Sequence, residues 1–314
     1  MTNRDQLSIE QTWENWKMCL TGDDKNSIFN QITLMLWDAA IFRVIMRSKN
    51  EKVEQNPQSP KLNQQLYSFI FRNYFHTQSA YIRRLTDKSS SLIGKKGTYS
   101  LGAILKDLQN HRDELTREKY IELRGFPYDY SKMKEKEMEF ILNQPPGKAV
   151  WIPPELDWGP IKSAHETFDR LCKTNAENRH PNDLIDEYIL KRLQMKLGSC
   201  KKINSYVNKF VAHSATPESR LEFNQNEYDI TLKNIWDSQK IIFKISNFLS
   251  GVLFSIDHMP LAIENPSFYN FWEEPFFNKE QVINKVRNTL ESYREETETW
   301  MESSDNDVWN WIEN

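Results

Sequence analysis

The sequence predicts an all-α fold, an elaborated helical bundle, and three observations support that prediction. The chain has 314 residues, of which 39% are hydrophobic and 12% aromatic, so it can bury a substantial core. Glycine contributes only 9 residues, and no segment repeats short alternating strands joined by glycine turns. Apolar residues instead recur at spacings of three and four along most of the chain. We therefore expect a single helical domain over residues 1–314.

Charge and cysteine content narrow the class of protein further. With 41 Lys and Arg against 44 Asp and Glu, the net charge is −3, which excludes coating of nucleic acid through bulk charge but allows a local basic patch. Residues 1–17 lack the apolar run of a signal peptide, and no segment has about 18 consecutive apolar residues. The three cysteines are odd in number and widely spaced, which indicates a reducing compartment. We expect a cytoplasmic protein with no membrane partner.

The first half of the chain predicts a series of amphipathic helices. Ser8 and Gln11 form a capping-box pattern ahead of a short helix that carries Trp13 and Trp16. Residues 27–47 are apolar on most sides, which is typical of a central helix. We then expect a polar connection over 51–60, a long helix over 61–88, a loop over 89–97 and a helix capped by Ser100.

Prolines interrupt the helical pattern in the middle of the chain. From Gly125 to Trp158 the sequence contains Phe126-Pro127, Pro145-Pro146-Gly147 and Pro153-Pro154. We therefore expect a long, irregular, proline-containing insertion here. Its last part, Pro145 to Trp158, is either a lid or plain surface.

The second half returns to regular helices. We expect them over 159–173, 182–197 and 226–256, with an apolar stripe between the last two formed by Ile203, Tyr206, Val207, Phe210 and Val211. A proline-rich and aromatic loop over 260–277 precedes a C-terminal helix over 278–303. The acidic tail, 304–314, contains Trp309 and Trp311 and either frays or docks.

Several familiar chemistries are excluded by spacing. Gly94-Lys95-Lys96-Gly97-Thr98 lacks the two glycines, separated by four residues, that a phosphate loop needs before its lysine. His165-Glu166 has no second histidine at i+4, and so it is not a zinc-protease motif. Asp305-Asn306-Asp307 lacks the glycine at the sixth position of a calcium loop. We expect no metal and no cofactor.

The most informative segment runs from Ile203 to Ser214, an amphipathic helix that ends in Ala212-His213-Ser214. Upstream, Ile82-Arg83-Arg84-Leu85-Thr86-Asp87-Lys88 ends a helix, and Ser100-Leu101-Gly102-Ala103-Ile104-Leu105 begins another. Together these segments resemble the HEPN superfamily, specifically its AbiU-like abortive-infection branch. The resemblance implies an all-helical HEPN-like core over residues 27–256 and a homodimer. It further implies a metal-independent RNA endonuclease of a defence or toxin system, with RNA as partner and a cognate antitoxin.

The family motif is an arginine, four to six residues and then a histidine, and it matches this chain only in part. His213 corresponds to the histidine, which moves a proton near neutral pH while the arginine holds the phosphorane charge. Asn208 occupies the position of the arginine, and an amide cannot neutralise a phosphate. Lys209 lies one α-helical turn before His213 and could supply the positive charge, as could Arg72 or Arg220. The alternative for His213 is a histidine that caps or packs at a helix end.

Two further groups are candidates for the same chemistry. Arg72 and His76 are four residues apart and face one side of a predicted helix, although a buried polar pair is the plainer interpretation. A set of five basic residues near Tyr81 and Tyr99 could hold single-stranded RNA, or could be a solvated helix end with a salt bridge between Arg84 and Asp87. The five are Arg83, Arg84, Lys88, Lys95 and Lys96.

The sequence thus leaves an enzyme and two kinds of non-enzyme open. The enzyme is a HEPN-type ribonuclease with His213, Lys209 and Asn208 in its site. The alternatives are a catalytically degenerate HEPN-like module that binds RNA or protein, and a helical scaffold whose tryptophan-rich ends dock another protein.

Overall fold

The structure is a computed structural model that describes residues 7–55, 64–88, 92, 97–145, 147, 149–211, 230–256, 280–300 and 305–313. The described ranges contain no strand, and the all-α prediction is confirmed. The helices are α1 (Ile9–Thr21), α2 (Ile28–Gln55), α3 (Gln64–Leu85), α4 (Leu101–Asn110), α5 (Arg117–Leu123), α6 (Ser131–Leu142), α7 (Gly159–Cys172), α8 (Glu187–Gly198), α9 (Lys201–Tyr206), α10 (Leu232–Asn247), α11 (Glu280–Thr299) and α12 (Asp305–Glu313). Helices α9 and α10 continue into π-helical turns, Val207–Val211 and Phe248–Phe254.

The chain divides into two compact units. Unit 1 comprises Met1–Trp16 and Lys106–Arg192, and unit 2 comprises Lys17–Leu105 and Leu193–Asn314. The residues of α1, α4 and α8 are therefore divided between the two. The single domain expected from the sequence stays a prediction.

Unit 1 is organised around buried aromatic side chains. Helix α1 begins with the predicted capping box, in which the Ser8 amide donates to Gln11 Oε1 at 3.0 Å and the Gln11 amide donates to Ser8 Oγ at 3.3 Å. This start directs Trp13 onto Tyr120 of α5, with ring centroids 6.1 Å apart. Tyr120 in turn packs against Phe168 of α7 at 5.0 Å. Burial of such large rings stabilises the unit because each removes a large apolar area from water.

Unit 2 is built around α2, which packs against α3, α10 and α11. The apolar side chains of α2 are buried on several sides of the helix, and so the central helix predicted over 27–47 is confirmed; examples are Ile28, Ile32, Met35, Leu36, Ala39 and Phe42. Arg43 adds two cation–π contacts, because its guanidinium lies 4.8 Å from the ring of Trp236 and 4.3 Å from that of Tyr293. Arg43 also forms an ion pair with Glu296, which fastens α11 to α2.

One described segment, 28–47, is long and apolar enough to cross a membrane by length and composition. The segment is not a run of consecutive apolar residues, because Asn30, Gln31, Asp38 and Arg43 lie within it. In the structure this segment is the central part of α2, and 56% of the window is buried inside the protein. A core helix passes the same test, because it too is apolar on most sides.

The proline-containing insertion is more regular than the sequence predicts. Helix α6 lies inside it, since Ser131–Leu142 is rich in Lys, Glu and Met, which favour helix, and the prolines fall outside this stretch. The described residues of 143–158 form no helix, as expected. Trp158 stacks on Tyr130, the residue before α6, with ring centroids 5.5 Å apart.

Several boundaries differ from those predicted; for example, α3 ends at Leu85 rather than at 88, and α11 ends at Thr299 rather than at 303. Helix α2 continues to Gln55, so the polar connection begins later than residue 51. Helix α8 begins at Glu187 rather than at 182. The helix predicted over 226–256 changes to π-helical geometry at Phe248, and most side chains of this turn are buried. The loops predicted over 89–97 and 260–277 lie mostly or wholly outside the described residues.

The C-terminal tail docks rather than frays. Trp309 and Ile312 of α12 are buried, and Trp309 packs against Phe248 with ring centroids 5.6 Å apart. The ammonium groups of Lys196 and Lys244 lie 4.6 Å and 5.4 Å from the ring of Trp311. The tryptophans of this tail are thus used in packing within unit 2.

Candidate functional site

The candidate site lies in unit 2, where the C-terminal end of α3 packs against residues 201–211. Buried Ile82 and Leu85 of α3, with Ile203 and Val207, form the apolar part of this region. A polar link reinforces it: the Thr86 hydroxyl donates to the carbonyl of Ile82 at 2.8 Å and accepts from Asn204 Nδ2 at 2.9 Å. These contacts fix the relative position of the two segments that carry the HEPN resemblance.

The start of α4 holds the end of α3 in place. Ser100 Oγ accepts from the amide of Ala103 at 3.1 Å, as the capping prediction requires, and donates to the carbonyl of Asp87 at 2.7 Å. Gly102 permits this approach, because a Cβ added there would lie 2.4 Å from the same carbonyl oxygen. The start of α4 therefore holds the backbone at Asp87 in a fixed position.

At this junction Arg83 contacts Asn208, the residue at the position of the family arginine. Arg83 Nε donates to Asn208 Oδ1 at 3.1 Å, and Arg83 Nη1 lies 3.5 Å from Asp87 Oδ2. The side chain of Arg83 is 31% exposed. Its Nη2 makes no hydrogen bond to any other residue of the described ranges. The guanidinium of Arg83, from α3, thus lies beside Asn208, the position at which the 201–211 segment has no arginine of its own.

The two segments carry an unusual excess of positive charge. Helix α3 contains no Asp or Glu but has Arg72, Arg83 and Arg84. Residues 201–211 likewise contain no acidic residue but have Lys201, Lys202 and Lys209. The chain as a whole carries −3. Basic residues are therefore concentrated on two segments that pack together, and the local basic patch stays a prediction.

Arg72 and His76 belong to the same stripe of α3 as Arg83. The three residues are spaced at i, i+4 and i+11, which places them within roughly 40° of one another around the helix axis. Arg72 is exposed and His76 is half-buried, so the interpretation as a buried polar pair is wrong for Arg72. The stripe extends the positive charge along α3 toward its N-terminal half.

The remaining predicted RNA-binding residues have separate roles. The guanidinium of Arg84 lies 4.9 Å from the ring of Tyr81, and Lys88 Nζ donates to the carbonyl of Gln194 at 3.3 Å. Asp87 pairs with Arg83, where the sequence suggested a pair with Arg84. Lys95 and Lys96 lie outside the described residues, as do His213 and Arg220.

The sequence places Lys209 one α-helical turn before His213, and because His213 lies outside the described residues this placement stays a prediction. Residues 207–211 are π-helical, so the hydrogen-bonding step widens from i+4 to i+5. A residue's direction within this turn cannot be read from a period of 3.6. Asn208 is exposed and Lys209 is half-buried.

Aromatic residues next to this site are more exposed than the sequence predicts. The apolar stripe on 203–211 suggested a core position for Phe210, yet Phe210 is 37% exposed. On α3, Phe69 and Phe71 are 55% and 40% exposed. Helical periodicity identifies an apolar face but not whether a neighbour covers it.

A second polar cluster lies in unit 1 and has a different character. Arg117 is fully buried; its Nη1 lies 2.8 Å from Asp169 Oδ1, and its Nε lies 2.9 Å from Asp183 Oδ2. Its Nη2 donates to Cys172 Sγ at 3.1 Å. Arg179 holds Asp169 from the other side, with Nη2 2.7 Å from Oδ2. No local motif signals this cluster, because its central Arg117 is far in sequence from the residues that it contacts, for example 55 residues from Cys172.

Burial shifts the pKa of two titratable side chains in this region of unit 1. Burial raises the pKa of the Cys172 thiol, which keeps it protonated and unreactive at neutral pH. Burial lowers the pKa of His165, whose Nε2 lies 3.1 Å from the carbonyl oxygen of Tyr128. Among the described residues no group of His, Cys, Asp and Glu could hold a metal ion.

Comparisons of the chain with models of protein families, with curated proteins and with solved structures found no match. The likeness to the HEPN superfamily therefore depends on the residues quoted above, and it stays a prediction.

Proposed function

We propose that this protein is a HEPN-like, metal-independent endoribonuclease of a cytoplasmic defence or toxin system, and that Arg83 replaces the arginine that its motif lacks. The observation that supports this assignment is the 3.1 Å hydrogen bond from Arg83 Nε to Asn208 Oδ1. Asn208 lies five residues before His213, at the motif's arginine position. A guanidinium held there can bind a phosphate in the bidentate way that an asparagine cannot.

In the proposed reaction the ribose 2′-OH attacks the adjacent phosphorus and the 5′-oxygen of the next nucleotide leaves. His213 accepts the proton of the 2′-OH while water protonates the leaving oxygen, or His213 protonates the leaving oxygen while water takes the 2′-OH proton, because an imidazole titrates near neutral pH. Arg83 stabilises the negative charge of the phosphorane, and the basic residues of α3 and 201–211 attract the strand. The products are a 2′,3′-cyclic phosphate and a 5′-OH.

A second function, RNA binding without cleavage, is favoured because Asn208 occupies the position of the motif arginine. Arg83 is already paired in part with Asp87, with Nη1 and Oδ2 3.5 Å apart, and this pairing lowers the charge that it offers to a phosphate. In this second case the basic segments still bind RNA, and affinity falls steeply with salt. A homodimer and a cognate antitoxin stay predictions of the resemblance in either case.

The test is cleavage of end-labelled mixed RNA by the purified protein in EDTA. We expect fragments ending in 2′,3′-cyclic phosphate, lost in His213→Ala and in Arg83→Met. Arg294→Met is the matched control, because Arg294 is a surface arginine of α11 paired with Glu291 and Glu298. If all proteins are folded and bind RNA but none cleaves it, the binding function replaces the enzyme. If none binds RNA at any salt concentration, both functions are wrong.

A further inference from the structure

Arg83 of the candidate site has an acidic neighbour, Asp87, four residues further along the chain. Arg83 Nη1 lies 3.5 Å from Asp87 Oδ2, and the two side chains are 31% and 24% exposed. In the sequence, Asp87 is the only acidic residue within 64–88 and 201–211, the two segments that form the site. The one carboxylate of these segments therefore lies beside the guanidinium to which the proposed function assigns the phosphate.

The backbone of Asp87 is held by contacts that do not involve its carboxylate. The Asp87 carbonyl accepts the 2.7 Å hydrogen bond from Ser100 Oγ, and the Asp87 amide donates to the carbonyl of Arg84 at 3.3 Å. Gly102 lies so close to the same Asp87 carbonyl that an added Cβ would be 2.4 Å from its oxygen. A change confined to the Asp87 side chain therefore leaves the packing of α4 on the end of α3 intact.

The contacts of Arg83 determine how a phosphate can reach its guanidinium. A guanidinium binds an anion in the bidentate way through one of two edges, Nη1 with Nη2 or Nε with Nη2. Asn208 Oδ1 accepts a hydrogen bond from Nε at 3.1 Å, and Asp87 lies at Nη1, so each edge already has one contact. A phosphate therefore gains two hydrogen bonds to Arg83 only by displacing Asn208 or Asp87.

Asp87 is the easier of the two contacts to displace. Its oxygen lies 3.5 Å from Nη1, which is longer than the usual hydrogen-bond length of about 2.9 Å, whereas the 3.1 Å contact to Asn208 is within the normal range. A partly exposed ion pair also contributes little free energy, because water screens it. Displacement of Asp87 frees the Nη1–Nη2 edge and leaves Asn208 on Nε, where it orients the guanidinium.

We propose that Asp87 is a built-in counter-ion of Arg83, which an RNA phosphate displaces when it binds. This inference rests on the proposed function, namely that Arg83 meets a phosphate, and it adds a positioning residue that limits the affinity for RNA. Before RNA binds, Asp87 and Asn208 hold the guanidinium from two sides. On binding, the phosphate replaces the Asp87 carboxylate on Nη1 and Nη2, and Asn208 keeps Nε. The affinity for RNA is lower as a result, because an ion pair is broken each time.

The test is the affinity of Asp87→Asn for a fluorescent RNA of mixed sequence, measured by anisotropy. Asparagine keeps the size of the side chain and removes its charge, so the affinity should rise about threefold, as expected for the loss of one exposed ion pair. Asp87→Glu keeps the charge and should bind RNA like wild type. In the Arg83→Met background, Asp87→Asn should have no effect, because the carboxylate acts through Arg83.

Cleavage kinetics give a second readout, which a merely structural role would not produce. Asp87→Asn should lower KM about threefold and leave kcat unchanged, because substrate and transition state gain the same binding free energy when the competing carboxylate is removed. Loss of a structural contact would instead lower kcat. A fall in kcat without a fall in KM would therefore overturn the inference.

The matched control is Asp237→Asn. Asp237 of α10 also pairs with a basic residue four positions away, since Lys233 Nζ lies 2.7 Å from Asp237 Oδ2, and both side chains are exposed. The substitution removes the same charge from the chain, so a general effect of net charge on RNA binding would be seen in this variant too. It should leave the affinity for RNA unchanged.

The outcomes separate the inference from the function on which it rests. If wild type binds RNA but Asp87→Asn binds no more tightly than wild type or Asp237→Asn, the counter-ion role is wrong while the proposed function stands. The same holds if Asp87→Asn gains as much affinity in the Arg83→Met background, because the carboxylate then repels RNA directly. If neither wild type nor Asp87→Asn binds RNA at any salt concentration, the proposed function is refuted, and the inference with it.

Discussion

Arg117 in unit 1 and Arg83 in unit 2 are both held by carboxylates, but their surroundings are opposite. Arg117 is fully buried, and all three of its guanidinium nitrogens contact Asp169, Asp183, or Cys172. Arg83 is 31% exposed and uses Nε on Asn208 and Nη1, at 3.5 Å, on Asp87. An arginine whose donors are all used in the interior stabilises a fold. One that keeps a donor at the surface can bind an anion.

The largest expected effect is on stability, and it comes from Arg117. Arg117→Met leaves Asp169 and Asp183 without their central partner, which should destabilise unit 1 by about 3 kcal/mol. Arg83→Met should cost less than about 1 kcal/mol, because its ion pair is partly solvated. Hydrogen exchange of the α5 and α7 amides measures the first, and exchange of the α3 amides the second. Equal losses in both variants would remove the distinction between the two arginines.

The second effect is on RNA, and it comes from Arg83. Arg83→Met should lower RNA affinity about tenfold and reduce the dependence of log affinity on log salt by about one contact. Arg117→Met, assayed under conditions where unit 2 stays folded, should leave both quantities unchanged. Anisotropy titrations at several salt concentrations give the two numbers. An unchanged salt slope in Arg83→Met would mean that this guanidinium meets no phosphate.

A pH titration separates the two units in a third way. Burial holds the pKa of His165 below its unfolded value of 6.5. As the pH falls through 6.5, His165 therefore binds a proton in the unfolded chain but stays neutral in the folded unit. The free energy of unfolding is highest above pH 6.5 and decreases as the pH falls. Between pH 6.5 and 5.5 this loss is at most about 1.4 kcal/mol. Urea unfolding followed at both pH values should show it in wild type and less of it in His165→Gln. A loss that is the same in both proteins would have another source.

The smallest effect concerns how Arg83 is positioned. Asn208→Ala removes the acceptor of Arg83 Nε but keeps Asp87, so RNA affinity should fall only about threefold. In the Arg83→Met background the same change should have no further effect. A double-mutant cycle in the anisotropy assay measures the coupling. Additive losses would indicate that Asn208 contacts RNA by itself.

The local features of the fold could be predicted from the sequence because short-range chemistry controls them. The Ser8–Gln11 capping box, the Ser100 cap and the all-round apolarity of α2 each involve residues within one or two turns. Helix α6 was missed because the neighbouring prolines outweighed the helix-forming residues between them. The Arg117 cluster left no sequence signal, since Arg117, Asp169 and Asp183 meet only after folding.

The sequence identified individual residues of the candidate site but not the contacts between distant segments. Asn208, Lys209 and Arg83 were identified as candidates, but no spacing rule links Arg83 to Asn208, which are 125 residues apart. The ring contacts that join Phe71, Phe75, Tyr206 and Phe210 were hidden too. Phe210 belongs to a regular apolar stripe and is nevertheless 37% exposed. Periodicity reports which residues share a face, and it does not report what covers that face.

The sequence by itself determined the helical class, most helix positions and the absence of acidic residues on α3 and on 201–211, because composition and local hydrogen bonding are properties of the chain. Only the tertiary structure decided that Arg83 contacts Asn208, that residues 207–211 wind as a π-helix and that four aromatic rings meet at the surface. These features depend on contacts between distant segments, whose free energy appears only when the helices pack.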